Sequence, residues 1–292
     1  MLTRRFHIDV VVFSFFFSVL FCCACALVDN LLSFWVFLEL CGMSLIPAFF
    51  YSSNSSLQGF YSSLLSYVVM SGLSSVFLVS GIIISDLYFF IVLGFIIKFG
   101  LFPFSLWVYR VFSGSNWVFI FLLSVVMKFP ILFFCYLLQN DYTTLIYGDC
   151  VFTIVMCGCF LWFFSQSWEF IWCHMSLSSV STLLVACFCS DFSFSLFIYF
   201  YYFLWASLCI VYFSFLNDSD SVKNSFWVYC FLLLITPLSL PLFYKLSVCL
   251  AILYSSVYVL LVWCVYSFSE QFFLYKLGSD YFYSSVYNDW GC

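Results

Sequence analysis

Four ionisable side chains stand inside apolar runs long enough to cross a bilayer. They are Glu39 in FWVFLELCGMSLIP, Lys98 in VLGFIIKFGLFPF, Lys128 in IFLLSVVMKFPILFF and Lys245 in LLLITPLSLPLFYKLSV. A lone charge at the bilayer centre costs at least ~3 kcal/mol. Such a group persists where it faces a polar interior, pairs with an opposite charge or sheds its own. Burial disfavours the charged form of either residue type, and a Glu–Lys pair opposes that effect. One glutamate and three lysines held in this way can gain and lose protons as neighbouring charges change. The chemistry expected is proton transfer along a buried chain. Other readings stay open at this point. A membrane lysine can snorkel to the headgroups, and Lys245, near its helix end, is best placed to do so. Glu39 can serve only to lock two helices together.

Proline marks the same places. Gly100 and Pro103 follow Lys98, Pro130 follows Lys128, and Pro237 and Pro241 precede Lys245. Proline inside a helix removes a backbone hydrogen bond and kinks or breaks it. In a membrane the freed groups are tolerated only where protein or water satisfies them, and broken helices beside charges mark ion sites in transporters. His174, in EFIWCHMSLSSVS, has a side chain that titrates near neutral pH. It fits either a relay or an interfacial position about two turns into its helix. His7 reads as an interface residue.

The elements that must position these groups are transmembrane helices. The chain of 292 residues is 66% hydrophobic and 7% charged, with a mean hydropathy of +1.17. Soluble domains carry about 25% charged residues, so lipid is the solvent for most of this chain. The pattern predicts an all-α polytopic membrane protein of about ten helices: 10–28, 31–51, 58–84, 87–108, 116–138, 146–165, 168–190, 193–216, 225–247 and 248–268. It is expected to form an antiporter-like bundle with two discontinuous helices, those of Lys98 and Lys245. These two lie five spans apart and so cross in opposite directions. Residues 1–268 make the transmembrane domain and 269–292 a polar C-terminal tail.

Arg4 and Arg5 before the first apolar run resemble a signal peptide. The run is long, lacks a small-residue cleavage site and is followed by many more, so it reads as the first span. The basic residues Arg4, Arg5, Arg110, Lys223 and Lys276 fall on one side of a ten-helix arrangement. The opposite side carries the acids Asp29, Asp86, Asp141, Asp149 and Asp191. By the positive-inside rule both termini share the positive side. The serines of the third span, among them Ser71, read as close helix packing.

The 16 cysteines lie mostly in apolar runs. Cys22 and Cys25 have a CxxC spacing with no second pair after it, so cysteine as small apolar filler outweighs a metal site. The excess of Phe, Cys and Tyr is what thymine-rich codons would produce and suggests a mitochondrial gene. No GxGxxG, P-loop, iron–sulfur spacing or haem-holding histidine pair is present, and no basic patch exists for nucleic acid. No cofactor is expected in this chain, and no metal.

KFGLFPFSLWVYRVFSGSNW (98–117) resembles the KxGxxPFHxWxPxVxxGxxW stretch of the subunit 2 family of mitochondrial NADH:ubiquinone oxidoreductase, complex I. MKFP (127–130), FLELCGMSLIP (37–47), MSLSSVSTL (175–183) and TPLSLPLFYK (236–245) resemble further segments of that family in the same order. Ser105 stands where the family has His, Thr182 replaces a further His, and Pro241 stands where Gly is expected. The resemblance implies an antiporter-like, proton-pumping subunit of the inner mitochondrial membrane, with both termini in the matrix. It implies that Glu39 and Lys98 form an ion pair between helices, that Lys128 is the central relay lysine and that Lys245 lies on the exit side. NADH, flavin, iron–sulfur clusters and ubiquinone would belong to other subunits. The implied partners are the neighbouring antiporter-like subunit 4, subunit 4L, and membrane lipids such as cardiolipin. A free-standing cation/proton antiporter and a non-transporting membrane scaffold are the competing functions.

Overall fold

A computed structural model describes residues 2–51, 57–84, 86, 89–137, 143–218, 226–253 and 255–282, with the backbone alone at 2–7, 57, 58, 143 and 218. The side chains of Arg4, Arg5 and His7, together with Asp141, Lys223 and residues 283–292 of the expected tail, lie outside that description. The described residues form α1 (Leu2–Cys25), α2 (Leu31–Phe49), α3 (Leu57–Ile83), α4 (Phe89–Phe99), α5 (Leu106–Ser113), α6 (Trp117–Ser124), α7 (Phe129–Leu137), α8 (Thr143–Phe164), α9 (Trp168–Cys189), α10 (Phe192–Asp218), α11 (Phe226–Leu233), α12 (Leu240–Ile252) and α13 (Val257–Phe282). A single 3-10 turn, Val126–Lys128, joins α6 to α7. No strand occurs among them.

Eight stretches are long and apolar enough to cross a membrane, counting α6, the turn and α7 as one. The helix pairs α4–α5 and α11–α12 each make one more rod, broken in the middle. The long helix α3 packs along both α4 and α5, and α10 packs along both α11 and α12. The chain is therefore an all-α polytopic membrane protein, with one helix buried along most of its length. That helix is α9, whose residues from Ile171 to Ala186 are all buried, four serines and a threonine among them. A helix that is lipid-facing cannot carry such a polar load. One walled in by α5, α7, α8, α10 and α12 can.

The breaks number three among the described residues, one more than expected. At the first, Gly100 takes φ +68°, the left-handed region open to glycine at little cost. A Cβ there would clash with Val108 Cγ2. The loosened backbone is satisfied by side chains: Trp107 Nε1 donates to the Ile97 carbonyl at 3.1 Å, and Phe102 N donates to Thr153 Oγ1 at 3.0 Å. At the second, Tyr202 and Tyr199 of α10 donate to the carbonyls of Ser124 and Val125 at 3.1 and 3.2 Å. At the third, Leu238 takes φ +68° between two prolines. There Gln271 of α13 accepts from Ile235 N at 2.8 Å and donates to the Leu233 carbonyl at 3.4 Å.

Several boundaries differ from expectation. The first helix begins at residue 2. The ninth rod ends at Ile252, and the last helix starts at Val257, where Ser256 Oγ accepts from the Val259 amide at 3.3 Å. An apolar run with only Ser255 and Ser256 inside it gave no sign of this stop. The last helix then continues to Phe282, so 269–282 is helix and not polar tail. Its apolar face of Leu274 and Gly278 packs under Tyr229 of α11, which carries it past the polar residues.

Candidate proton-relay site

The four charges predicted from sequence are each held inside the bundle, and a fifth joins them. Lys98 sits in the last turn of α4, two residues before Gly100, where the chain unwinds. Its Nζ donates to Glu39 Oε1 of α2 at 2.7 Å and to Ser71 Oγ of α3 at 3.2 Å. Close approach makes this possible. At Gly94, one turn before Lys98, a Cβ would stand 2.8 Å from the backbone nitrogen of Leu78, so α4 lies directly on α3. Of the α3 serines, Ser63 and Ser74 are buried, the Ser74 carbonyl lying against Gly94 of α4, and Ser71 serves the ammonium.

Lys128 closes the 3-10 turn between α6 and α7 and is 2% exposed. Its three ammonium hydrogens have three acceptors: the Ser176 carbonyl at 2.8 Å, Ser179 Oγ at 2.6 Å and Tyr202 Oη at 2.7 Å. All three are neutral. Lys245, in the second turn of α12, pairs at 3.1 Å with Glu270 of α13. Both members are buried, so neither Lys98, Lys128 nor Lys245 snorkels.

The sequence places Glu270 in the expected polar tail, and the structure places it in α13. A signal did exist: Glu270 and Gln271 are followed by Phe272, Phe273 and Leu274, an apolar continuation that a water-exposed tail does not need. The ninth and tenth rods are joined by that pair and by Gln271, which spans the neighbouring break.

Two small cavities link the charges. One of about 30 Å³ is bordered by both Lys98 and Lys128, with Ser124 and Ser176 on its wall. The other, of about 20 Å³, is bordered by Ser179, Thr182, Tyr244, Lys245 and Glu270. A water needs about 10–15 Å³ of such space, so these have room for roughly two waters and one. Ser179 borders the second cavity and also accepts from Lys128. The order is Glu39, Lys98, cavity, Lys128, Ser179, cavity, Lys245, Glu270. Charge pairs close both ends, and the middle lysine has neutral acceptors alone. The row on α9 that connects them, Ser176, Ser179 and Thr182, has the three-residue spacing of one helix face.

His174 is fully buried, which removes the interfacial reading. Its Nδ1 and Tyr109 Oη lie 2.7 Å apart, and its Nε2 is buried without a partner. It faces Tyr109 of α5, and none of its hydrogen bonds reaches Lys128 or Lys245. Cys22 and Cys25 pack in the core as free thiols, and among the described residues no cluster of three His, Cys, Asp or Glu side chains could hold a metal.

No protein-family model matches the sequence, and no curated protein matches it. Among solved structures, a chain of the respiratory complex I of Thermus thermophilus with bound aureothin is similar, with a TM-score of 0.74. The likeness covers 91% of this chain and 69% of that one at 16% identity. At that identity it is a likeness of fold: the bundle of this protein is built like a chain of a respiratory complex I.

Proposed function

We propose that this protein is a membrane-arm subunit of an NADH:ubiquinone oxidoreductase and moves protons along Glu39, Lys98, Lys128, Lys245 and Glu270. The observation that carries the reading is Lys128, a fully buried ammonium with neutral partners, standing between two Lys–Glu pairs on a row of hydroxyls. Charging Lys128 is opposed by any neighbouring ammonium and eased when that ammonium is drawn to a carboxylate. While Glu39 holds Lys98, and Glu270 holds Lys245, the middle site can accept a proton. Opening either pair turns a neutralised neighbour into a repelling one and drives the proton toward the other end. Hydroxyls and waters pass it on, since each both donates and accepts.

In this reading the protein forms and breaks no substrate bond, and redox energy released in other subunits shifts the pairs. The flavin, the iron–sulfur clusters, NADH and ubiquinone are the business of those subunits. The resemblance of 98–130 to the mitochondrial subunit 2 family supports an inner-membrane location with both termini in the matrix. It likewise supports subunits 4 and 4L as neighbours and cardiolipin as a lipid partner. The test is redox-driven proton uptake by the assembled enzyme in vesicles, with electron transfer measured alongside. Lys98→Met and Lys128→Met should each cut proton transport at least tenfold while assembly survives. Normal pumping by assembled enzyme lacking both lysines would end the proposal. Failure of the chain to copurify with NADH-oxidising, quinone-reducing activity would favour a free-standing antiporter.

A further inference from the structure

Charge pairs close both ends of the relay, so a proton from water needs a further group to reach either pair. His174 has the properties of such a group. It is fully buried, its Nδ1 lies 2.7 Å from Tyr109 Oη, and its Nε2 has no partner. A neutral imidazole carries one N–H and one lone pair. Leaving either unpaired in a buried site is unfavourable. A phenylalanine here would avoid that cost, so packing alone does not account for the histidine.

On one side of the ring lies the way to water. The end of α5 and the start of α9 open on the same face of the membrane. Tyr109 stands four residues from that end of α5, and His174 six residues into α9, about 9 Å at 1.5 Å per residue. A cleft of about 680 Å³ lies at this face, with Gln166, Asn217 and Lys276 on its wall. It reaches α9 as far as Ile171, one turn short of His174. On the other side lies the relay. Ser178 stands one turn further along α9, and Tyr266 of α13 donates to the His174 carbonyl at 3.4 Å. Ser178, Tyr266 and Glu270 all border the same cavity of about 20 Å³, which has room for one water. Tyr266 and Glu270 are four residues apart and share one face of α13.

We propose that His174 is a proton inlet, carrying protons from this face to Glu270 and so joining the relay at its Lys245 end without passing through Lys128. A proton arriving by way of Tyr109 makes the imidazolium, and loss of the hydrogen on the other ring nitrogen returns the neutral ring. Only N–H and O–H bonds change. Ser178, Tyr266 and a water in the cavity hand the proton on, since each both donates and accepts. A protonated Glu270 no longer neutralises Lys245. Arrival of the proton is therefore the event that opens that pair.

The inlet rests on the proton-relay reading, and its test separates the two. Proton uptake and NADH oxidation are measured together on the assembled enzyme in vesicles, and the quantity read is protons moved per NADH. His174→Gln should lower that ratio severalfold. Tyr109→Phe keeps the ring and its packing and removes only the hydroxyl. It should lower the ratio as well, and it decides the matter if His174→Gln does not assemble. A merely structural role would slow both rates in step and leave the ratio as it was. Lys128→Met tests the relay itself. A ratio lowered by Lys128→Met but unchanged in His174→Gln and Tyr109→Phe would overturn the inlet and leave the relay standing. A ratio unchanged in all three would overturn both.

Discussion

Each end of the relay is a buried ion pair, and removing one member of such a pair leaves the other charged and alone. That typically costs about 3–5 kcal/mol, whereas replacing both members by apolar groups is often nearly neutral. Glu39→Leu should therefore lower the thermal stability of the purified protein sharply, and Glu39→Leu with Lys98→Met should recover most of the loss. Equal destabilisation by the single and double changes would show that the 2.7 Å contact is not a coupled pair. Glu270→Gln tests the other end. It keeps shape and removes charge, so proton transport should fall severalfold while electron transfer in the same preparation continues. The same change at Glu169, in the first turn of α9 and outside the relay, should leave transport as it was.

At the scale of the element, the broken rods are the devices that turn backbone toward the charges. Gly100 is fixed by its φ of +68° and by Val108. Gly100→Ala should destabilise the fold by about 1–3 kcal/mol, the cost of a non-glycine residue held in that region. Adding Val108→Ala should relieve the clash and leave the backbone part of the cost, a partial rescue readable by thermal unfolding. Gln271→Leu should leave Ile235 N and the Leu233 carbonyl unpaired at the third break, at about 1–3 kcal/mol. Gln271→Glu keeps the acceptor and should be milder.

For the whole molecule, ten rods with breaks inside rods four and nine require the loops at Ser115 and Ser190 to open on opposite faces of the membrane. An epitope inserted after Ser115 should be reached by antibody from one face only, and one after Ser190 only from the other. Access to both from the same face would mean that one of the three rods between them does not cross, making α6–α7, the broken one, a re-entrant pair instead of a crossing. The buried position of α9 has a further consequence. Ser179→Ala removes an acceptor from Lys128 and a hydroxyl from the wall of the second cavity together. It should slow proton transport more than Ser207→Ala on the exposed face of α10, whose hydroxyl only bonds back to its own helix.

By itself the sequence determined that the protein lives in lipid, that it is helical and roughly how many times it crosses. Apolar runs of bilayer length in a chain with 7% charge have no other stable form. It also determined which groups could carry charge inward, because Glu39, Lys98, Lys128 and Lys245 stand out against apolar neighbours, and prolines nearby signal the breaks. The tertiary structure alone decided who meets whom. Across a separation of 59 positions, the sequence holds no trace of the 2.7 Å contact between Glu39 and Lys98, and the choice of Ser176, Ser179 and Tyr202 for Lys128 depends on how α9 and α10 are rotated. Glu270 became legible only when α13 was seen to continue past it, its helix supported by Tyr229 far away in sequence. Local hydrophobicity sets where a chain enters lipid, but the pairing of polar groups inside a bundle depends on close packing between helices distant in the chain, and that is a property of the whole.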